Sequence, residues 1–337
     1  MTSITDTLDV PRTPLPEDAA ARLTSAFASL EAVREDTERL LAELMRTATH
    51  LPVAFLTQLL RFRAGQGAGA LCLTGMPIDA DLPPTPTEPR GGRVKPGSVS
   101  DCGILLLAIL LGEPVAYASE KHGALVQNVF PTRDQRTSSS NESSAIELEF
   151  HTELALSRTV PEQSFDVAAP DFVLLLALRS LPERSATTSI VQAKDLARRL
   201  DPVDVAALRQ SQFQLRAPQS FTRDGDRPWS APLALMRGLS EDPQVVFDIA
   251  CGARALSPEA ERALEALRRG CADLSVRRSV QLAPGDLLMI DNHRCAHARS
   301  PFDARFDGRD RWLQRVYVRR DLQGLVCAAD RSFRVLA

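Results

Sequence analysis

The stretch LAPGDLLMIDNHRCAH, residues 282–297, decides the fold of this chain of 337 residues. Its Pro-Gly pair predicts a turn, and the run Asp286–Ile290 that follows predicts a buried strand. A second tight turn then delivers two histidines, His293 and His297. Either of them could be a metal ligand. His293 could equally cap the turn, and His297 could be a core histidine with satisfied hydrogen bonds.

A second segment, Ile146–Leu154 (IELEFHTEL), predicts a strand that carries His151 and Glu153 two residues apart. Because successive side chains of a strand alternate between its faces, this imidazole and this carboxylate would share one face. A third ligand would complete the arrangement of two histidines and one carboxylate, which leaves three positions open at a metal. A solvated strand face without a metal is the alternative for these two residues taken alone.

A third segment, Trp312–Arg319 with its neighbours, predicts a strand that places Arg311, Arg315 and Arg319 on one face. At about 3.3 Å per residue, Arg311 and Arg315 would stand about 13 Å apart. Guanidinium groups are suited to binding carboxylates through two parallel hydrogen bonds. The alternative is an edge strand decorated with solvated arginines.

The remaining sequence predicts a single domain, 1–337, whose helical N-terminal part is 1–70. Two segments predict loops: 79–98, rich in Pro, Gly and Thr, and 132–144, which is polar and a candidate lid over an active site. The core is predicted at 145–322, where strands alternate with helical insertions. This pattern predicts a mainly β fold, an antiparallel sandwich or jelly roll with flanking helices.

The composition excludes several classes of function. A hydrophobic content of 44%, a charged content of 25% and a net charge of −3 are typical of a globular protein, and no basic stripe suggests a nucleic-acid partner. We expect no membrane span, because about 18 consecutive apolar residues occur nowhere. Met1 to Asp18 lacks the features of a signal peptide, and the six cysteines form no Cys-x-x-Cys pair. These features predict a cytoplasmic protein.

Three motifs together resemble the clavaminate synthase-like branch of the taurine-dioxygenase-like Fe(II)/2-oxoglutarate-dependent oxygenases. They are FHTELALS (150–157), PGDLLMIDNHRCAHARSPF (284–302) and FDGRDRWLQRVYVRRDL (306–322). The resemblance spans roughly residues 115–322. It implies a double-stranded β-helix (jelly-roll) core with helices outside, and a dioxygenase that uses Fe(II), 2-oxoglutarate and O₂. The relatives, which include arginine and asparagine 3-hydroxylases, act mostly on free or carrier-bound amino acids in natural-product pathways such as antibiotic biosynthesis.

The resemblance also implies the metal ligands. In its pattern the iron would be bound by His151, Glu153 and His297. His297 is preferred over His293 because the ligand of the motif precedes the sequence Ala/Gly-Arg-Ser-Pro. The protein would then contribute ligands and orientation, while the oxidation itself would be chemistry of the metal.

For the co-substrate, the resemblance implies that Arg311 pairs with the distal carboxylate of 2-oxoglutarate. Thr188 is the expected hydroxyl beside this arginine, and its neighbours Thr187 and Ser189 compete for the same role. For the substrate, the resemblance implies three further residues, which are Arg315, Glu120 and Asp248.

In the relatives, the position of Arg315 holds the α-carboxylate of the amino acid, and the position of Glu120 binds its α-amino group. Asp248 falls near the acids that engage the rest of the substrate. The residues after it, Ile249–Cys251, lack the second acid of the arginine-type relatives, which argues against a guanidinium substrate.

We therefore predict an enzyme that hydroxylates an unactivated carbon, with Cβ as the first choice, of an amino acid that is either free or presented by a carrier protein. A desaturase or cyclase on the same scaffold is the alternative within this class. Two alternatives come from other classes: a jelly roll that binds a metal or ligand without turnover, and a zinc hydrolase with the same three ligands.

Overall fold

The computed structural model describes residues 8–88, 94–137, 142–154, 169–184, 186–217, 227–249 and 251–337. The α-helices in these residues are α1 (Glu17–Ser29), α2 (Thr37–Thr47), α3 (Val53–Arg63), α4 (Val99–Leu111), α5 (Ala193–Arg199), α6 (Pro202–Leu208) and α7 (Pro258–Ala272). Within this part of the chain, no helix combines the length and the apolar character needed to cross a membrane.

Strands form the body of the protein. They are β1 (Leu8–Asp9), β2 (Arg12–Pro14), β3 (Ala70–Thr74), β4 (Glu113–Tyr117), β5 (Gln127–Val129), β6 (Leu148–His151), β7 (Phe172–Arg179), β8 (Thr187–Gln192), β9 (Phe213–Leu215), β10 (Met236–Gly238), β11 (Pro243–Val245), β12 (Ala253–Ala255), β13 (Arg277–Gln281), β14 (Leu287–Asp291), β15 (Cys295–Arg299), β16 (Trp312–Arg319) and β17 (Val335–Leu336).

Two sheets contain most of these strands. The larger has the order β17-β4-β16-β7-β14-β3-β2, with β5 also paired to β16, and the smaller has the order β1-β13-β8-β15-β6. Most neighbours are antiparallel, whereas β1, β2 and β17 pair in parallel at the margins. The prediction of a mainly β fold with flanking helices is confirmed.

The core is arranged in layers. Side chains of both sheets, such as Val173 and Leu288 from the larger and Ile190 from the smaller, form one buried cluster between the sheets. The opposite face of the larger sheet packs against α1–α4, and that of the smaller sheet packs against α5–α7. Each sheet therefore has an inner face, toward the other sheet, and an outer face covered by helices.

Strand β14 shows why the decisive stretch is continuously apolar. It lies between β3 and β7, and all five of its residues are buried. Leu287 and Met289 point to the outer core, and Leu288 and Ile290 point to the inner one. The turn before it needs Gly285, whose φ is +84° and whose missing side chain would lie 2.9 Å from the carbonyl oxygen of Met76.

Two sequence interpretations are wrong. Strand β16 has the predicted bounds, but it lies between β7 and the pair β4 and β5, so its arginines are not those of a solvated edge strand. The predicted strand over 146–154 is shorter: β6 ends at His151, and Glu153 lies beyond it. The ladder ends there because the N–H of Thr152 donates to the carbonyl of Phe247 instead of to β15.

The two predicted loops have buried anchors. Between 79 and 98 the described residues form no helix or strand, yet Asp79 and Lys95 are only 6% and 4% exposed. In the second loop, residues 138–141 of the predicted lid lie outside the described residues, and the flanking Ser143 is fully buried.

Asp79 joins the first loop to helix α4. One carboxylate oxygen accepts from the N–H of Val99 at 2.9 Å, and the other accepts from the hydroxyl of Ser100 at 2.6 Å. The ammonium group of Lys95 lies 2.9 Å from Asp79 and 3.1 Å from Asp101. The buried charge of Lys95 is thus compensated by two carboxylates.

Replacing Asp79 with alanine should lower the free energy of unfolding by about 3–5 kcal/mol, because the buried Lys95 would lose one of its two carboxylate partners. Urea unfolding measures the change. Asp18→Ala is the matched control, since the ion pair of Asp18 with Arg22 is exposed. Equal stability of the two variants would contradict this account of the loop.

Candidate metal centre

Two histidines face each other at one margin of the smaller sheet, where β6 is the last strand and β15 is its neighbour. His151 on β6 and His297 on β15 are direct cross-strand partners, and their ring centroids are 4.3 Å apart. Their chain neighbours Phe150 and Ala296 pack into the outer core, so both imidazoles point inward. The structure brings Glu153 to the same point: one ligand atom from each of the three residues lies within 4.8 Å of the others.

Glu153 is held from outside the strand ladder. The side-chain amide of Asn292, in the turn after β14, accepts from the N–H of Glu153 at 2.8 Å and donates to its carbonyl at 3.0 Å. The hydroxyl of Tyr317 donates to carboxylate Oε2 at 3.0 Å, and Arg315 donates to Oε1 at 3.3 Å. Backbone and carboxylate are thus each positioned by side chains far away in sequence.

The protonation states suit a divalent metal. Nδ1 of His151 lies 2.8 Å from the carbonyl oxygen of Glu149, so it carries the proton and leaves Nε2 available. Burial and the neighbouring His151 lower the pKa of His297 to about 3, which keeps that ring neutral. Burial alone would raise the pKa of Glu153, but Arg315 and the two histidines hold it below its ordinary value. Two imidazoles and one carboxylate are a ligand set that fits a ferrous ion.

His293, the other histidine of the decisive stretch, does not join this group. Its Nε2 lies 2.8 Å from a carboxylate oxygen of Asp171, and its backbone N–H donates to Asp291. His293 therefore caps the turn and ties it to the segment before β7, while His297 lies with His151 and Glu153.

Arg311 lies immediately before β16. It belongs to the inner wall, by which we mean the facing inner surfaces of the two sheets. It is 9% exposed, and its guanidinium carbon is 5.9 Å from the ring of Phe302. Arg299 lies 5.2 Å from the same ring and donates to Ser143 and to the carbonyl of Ile146. Within the described ranges, no carboxylate pairs with Arg311. Burial and Arg299 lower the pKa of Arg311 to about 9, so the group is charged at neutral pH.

Of the three predicted hydroxyls near Arg311, Thr188 points inward. It pairs across the smaller sheet with Arg299 on β15 and with Val280 on β13, which belongs to the inner core. The hydroxyl of Ser189, the next residue, accepts from Arg277 instead. The hydroxyl of Thr187 accepts from the side-chain amide of Gln281, its partner on β13.

A third group surrounds Arg315, which is 4% exposed. Its guanidinium donates to carboxylate oxygen Oε1 of Glu120 at 2.7 Å and to the amide oxygen of Gln127 at 2.6 Å. Burial alone would lower the pKa of Arg315, but Glu120, Tyr317 and Glu153 raise it above its ordinary value. Among the described residues, nothing binds Oε2 of Glu120 or Nε2 of Gln127, although both atoms are buried.

Asp248 lies beside the histidines but is turned into its own loop. Its backbone forms an isolated β-bridge with His151, and one carboxylate oxygen accepts from the N–H of Cys251 at 2.7 Å. Part of the hydrogen-bonding capacity of this carboxylate is thus used by the protein.

Sequence reasoning missed four residues of the site: Asn292, Tyr317, Arg299 and Gln127. Strand alternation could have found two of them, since Tyr317 follows Arg315 by two residues and Arg299 follows His297 by two. The role of Gln127 depends on the pairing of β5 with β16, and that of Asn292 on the contact between two distant turns. No local pattern marks such contacts.

A sequence model of the family described as taurine catabolism dioxygenase TauD, TfdA family matches residues 105–317. The chain belongs to this family. It is 36% identical over 285 residues to the L-asparagine oxygenase of Streptomyces coelicolor, a match that covers 83% of this chain and 80% of that enzyme. The predicted family and the predicted dioxygenase class are confirmed.

Solved structures of the family resemble the whole chain. Asparagine oxygenase in complex with Fe(II), 2S,3S-3-hydroxyasparagine and succinate has a TM-score of 0.83 at 30% identity, and the match covers 96% of this chain and 98% of that one. The non-heme iron oxygenase OrfP in complex with Fe and alpha-ketoglutaric acid has a TM-score of 0.81 at 29% identity, over 97% and 100%.

Since no carboxylate among the described residues pairs with the buried charge of Arg311, we expect Arg311→Met to make the ligand-free protein more stable, by about 1–4 kcal/mol. Because the folded protein lowers the pKa of this group to about 9, the difference from wild type should be full at pH 7 and shrink above pH 9. Urea unfolding tests this, with the exposed Arg309→Met as control. A less stable Arg311→Met protein would show that Arg311 has a partner.

Proposed function

We propose that this protein is an Fe(II)- and 2-oxoglutarate-dependent oxygenase that hydroxylates Cβ of a free amino acid. One observation carries the proposal: the inner wall brings together a three-ligand cluster, the buried guanidinium of Arg311, which no carboxylate of the described residues pairs, and the guanidinium of Arg315, which is flanked by buried polar atoms that have no partner among those residues. We also infer that the two facing sheets form a double-stranded β-helix (jelly roll), with the site between them.

His151, Glu153 and His297 would hold the iron. When bound, iron supplies, together with 2-oxoglutarate and O₂, the oxidation of an unactivated C–H bond, with succinate and CO₂ as the other products. Tyr317 and Asn292 keep the carboxylate of Glu153 turned toward the histidines. Residues that hydrogen-bond to a metal ligand, without binding the metal themselves, hold the ligand in the orientation that the metal needs.

Arg311 would bind the distal carboxylate of 2-oxoglutarate. A buried cation without a counterion is unfavourable, and a dicarboxylate supplies the missing negative charge. The nearby Arg299 increases the positive potential, and the inward hydroxyl of Thr188 would donate to the same carboxylate. OrfP, which has been solved with Fe and alpha-ketoglutaric acid, supports this choice of anion.

Arg315, Glu120 and Gln127 would bind the amino acid by its charged ends. Oε2 of Glu120 and Nε2 of Gln127 are buried and have no hydrogen-bond partner among the described residues. The first is an acceptor suited to an α-ammonium group, and the second is a donor suited to an α-carboxylate. Since both charged ends sit on Cα, clamping them fixes Cβ as the next carbon. The asparagine oxygenase solved with 3-hydroxyasparagine supports oxidation at this position.

Asp248 would contact the side chain of the substrate. Its carboxylate already accepts from the N–H of Cys251, and the sequence of residues 249–251 adds no second acid beside it. A short amide side chain, which carries no positive charge, fits a single carboxylate better than a guanidinium does. L-Asparagine is therefore the first amino acid to test.

The decisive experiment is anaerobic reconstitution with Fe(II) and 2-oxoglutarate, followed by addition of O₂ and measurement of succinate release with each proteinogenic amino acid. We expect one or a few amino acids to stimulate release and to gain one oxygen atom by mass spectrometry. His297→Ala should lose at least about 99% of the stimulated rate, because the iron would lose a ligand.

The matched control is His293→Ala, which removes an imidazole four residues away that binds Asp171. This variant should keep the stimulated reaction. If wild type binds iron but releases no succinate with any amino acid, the protein is a non-catalytic binding module. Hydrolysis supported by Zn²⁺ would point to a hydrolase instead.

Metal affinity can be tested without turnover. Asn292→Ala should weaken Co²⁺ binding by about 10–100-fold, the usual effect of losing a residue that orients a ligand. Titration followed by the visible absorption of Co²⁺ measures this, and Glu153→Ala should lose the characteristic spectrum. Unchanged Co²⁺ affinity in Asn292→Ala would refute the positioning role of the amide.

A further inference from the structure

A left-handed turn follows Glu120 directly. Lys121, His122 and Gly123 have φ values of +45°, +59° and +74°, so three consecutive residues lie in the region that L-amino acids avoid. Only glycine adopts this conformation without a steric penalty, and the first two residues are not glycine. Strained backbone of this kind persists only where surrounding contacts enforce it.

Two distant segments supply such contacts. Nη1 of Arg331 donates to the carbonyl of His122 at 2.6 Å, and the ammonium group of Lys121 forms an ion pair with Glu142. Arg331 is placed by the C-terminal strand β17, which pairs in parallel with β4 just before the turn. A side chain at Gly123 would lie 2.8 Å from Nη1 of Arg331, so the arginine packs directly on the turn.

The turn determines where Glu120 lies. The carbonyl of Glu120 accepts from the N–H of Gly123 at 2.9 Å, which closes the turn, while its carboxylate reaches inward to Arg315. If the turn relaxed to ordinary backbone angles, this closure would be lost and the carboxylate would shift. A displacement of about 1 Å is enough to impair a binding clamp.

We propose that Arg331 and Glu142 are positioning residues for the amino-acid substrate. They hold the left-handed turn at Lys121–Gly123, and the turn presents Oε2 of Glu120 to the α-ammonium group. The C-terminal segment is thereby part of the substrate-binding apparatus, although it contacts no ligand. This inference rests on the proposed function, because it assigns the ammonium group to Glu120.

The first test is a set of three variants: Arg331→Ala, His122→Gly, and the two combined. Arg331→Ala should raise KM for the amino acid about three- to tenfold, the range expected for one hydrogen bond, with kcat and the KM for 2-oxoglutarate unchanged. Glycine at position 122 removes the steric penalty, so the double variant should return toward the wild-type KM. A merely structural role of Arg331 would not be rescued by this glycine.

A second readout does not depend on turnover. Hydrogen exchange of peptides that contain Gly123 and Ala124 reports on the turn, since their N–H groups donate to Glu120 and Lys121. Exchange should be faster in Arg331→Ala and in Glu142→Gln, and slower again in the Arg331→Ala/His122→Gly double variant. Arg309→Ala, which removes an exposed arginine outside these contacts, is the control.

The outcomes separate the two proposals. If no amino acid stimulates wild type but Arg331→Ala accelerates exchange, the assignment of the substrate fails while the turn is held as described. If wild type responds to an amino acid and Arg331→Ala matches Arg309→Ala in both KM and exchange, the positioning role is overturned. A fall in kcat without a change in KM would overturn it as well.

Discussion

Charge buried between two apolar sheets is the constraint on which this structure depends. The inner wall holds the carboxylates of Glu153 and Glu120 together with the guanidinium groups of Arg315, Arg311 and Arg299. Arg315 contacts both carboxylates, so these three groups keep one net negative charge, whereas Arg311 and Arg299 add two positive charges and leave an excess of positive charge. A divalent metal increases this excess, and a dicarboxylate offsets it. The site is therefore electrostatically suited to a dianionic co-substrate and a zwitterionic substrate.

The two histidines of the centre and the carboxylate of Glu153 are positioned in different ways. The two histidines are fixed by backbone pairing, because His151 and His297 are opposite each other in adjacent strands. Glu153 has no such support, and a side-chain amide replaces the missing strand partner by binding both its N–H and its carbonyl. Placing the carboxylate outside the ladder frees it to be reached by Arg315 and Tyr317 from the opposite sheet. One ligand thus connects the two sheets.

The local sequence pattern correctly predicted which face of a strand a side chain occupies. It did not predict which distant residue that side chain binds. Alternation over 312–319 correctly placed Arg315 opposite Val316, and the apolar run over 286–290 correctly indicated a doubly covered strand. The choice between His293 and His297 could not be made from spacing, because the hydrogen-bond partner of the His293 ring is Asp171, 122 positions away. The end of the strand before Glu153 was missed for the same reason. A strand stops where its hydrogen bonds find other partners, and those partners come from the tertiary fold.

The unfavourable features of this protein are concentrated where function would require them. Lys95 is even less exposed than Arg311, yet two carboxylates contact it, so the fold is able to neutralise a buried cation. That Arg311 has no carboxylate partner among the described residues is therefore not a limit of the architecture, and it agrees with the role proposed for this arginine. The left-handed turn after Glu120 follows the same logic, since a less strained connection would satisfy the chain but not the direction of the carboxylate. Under the proposed function, stability is given up at the positions that would meet a ligand and retained at those that only support them.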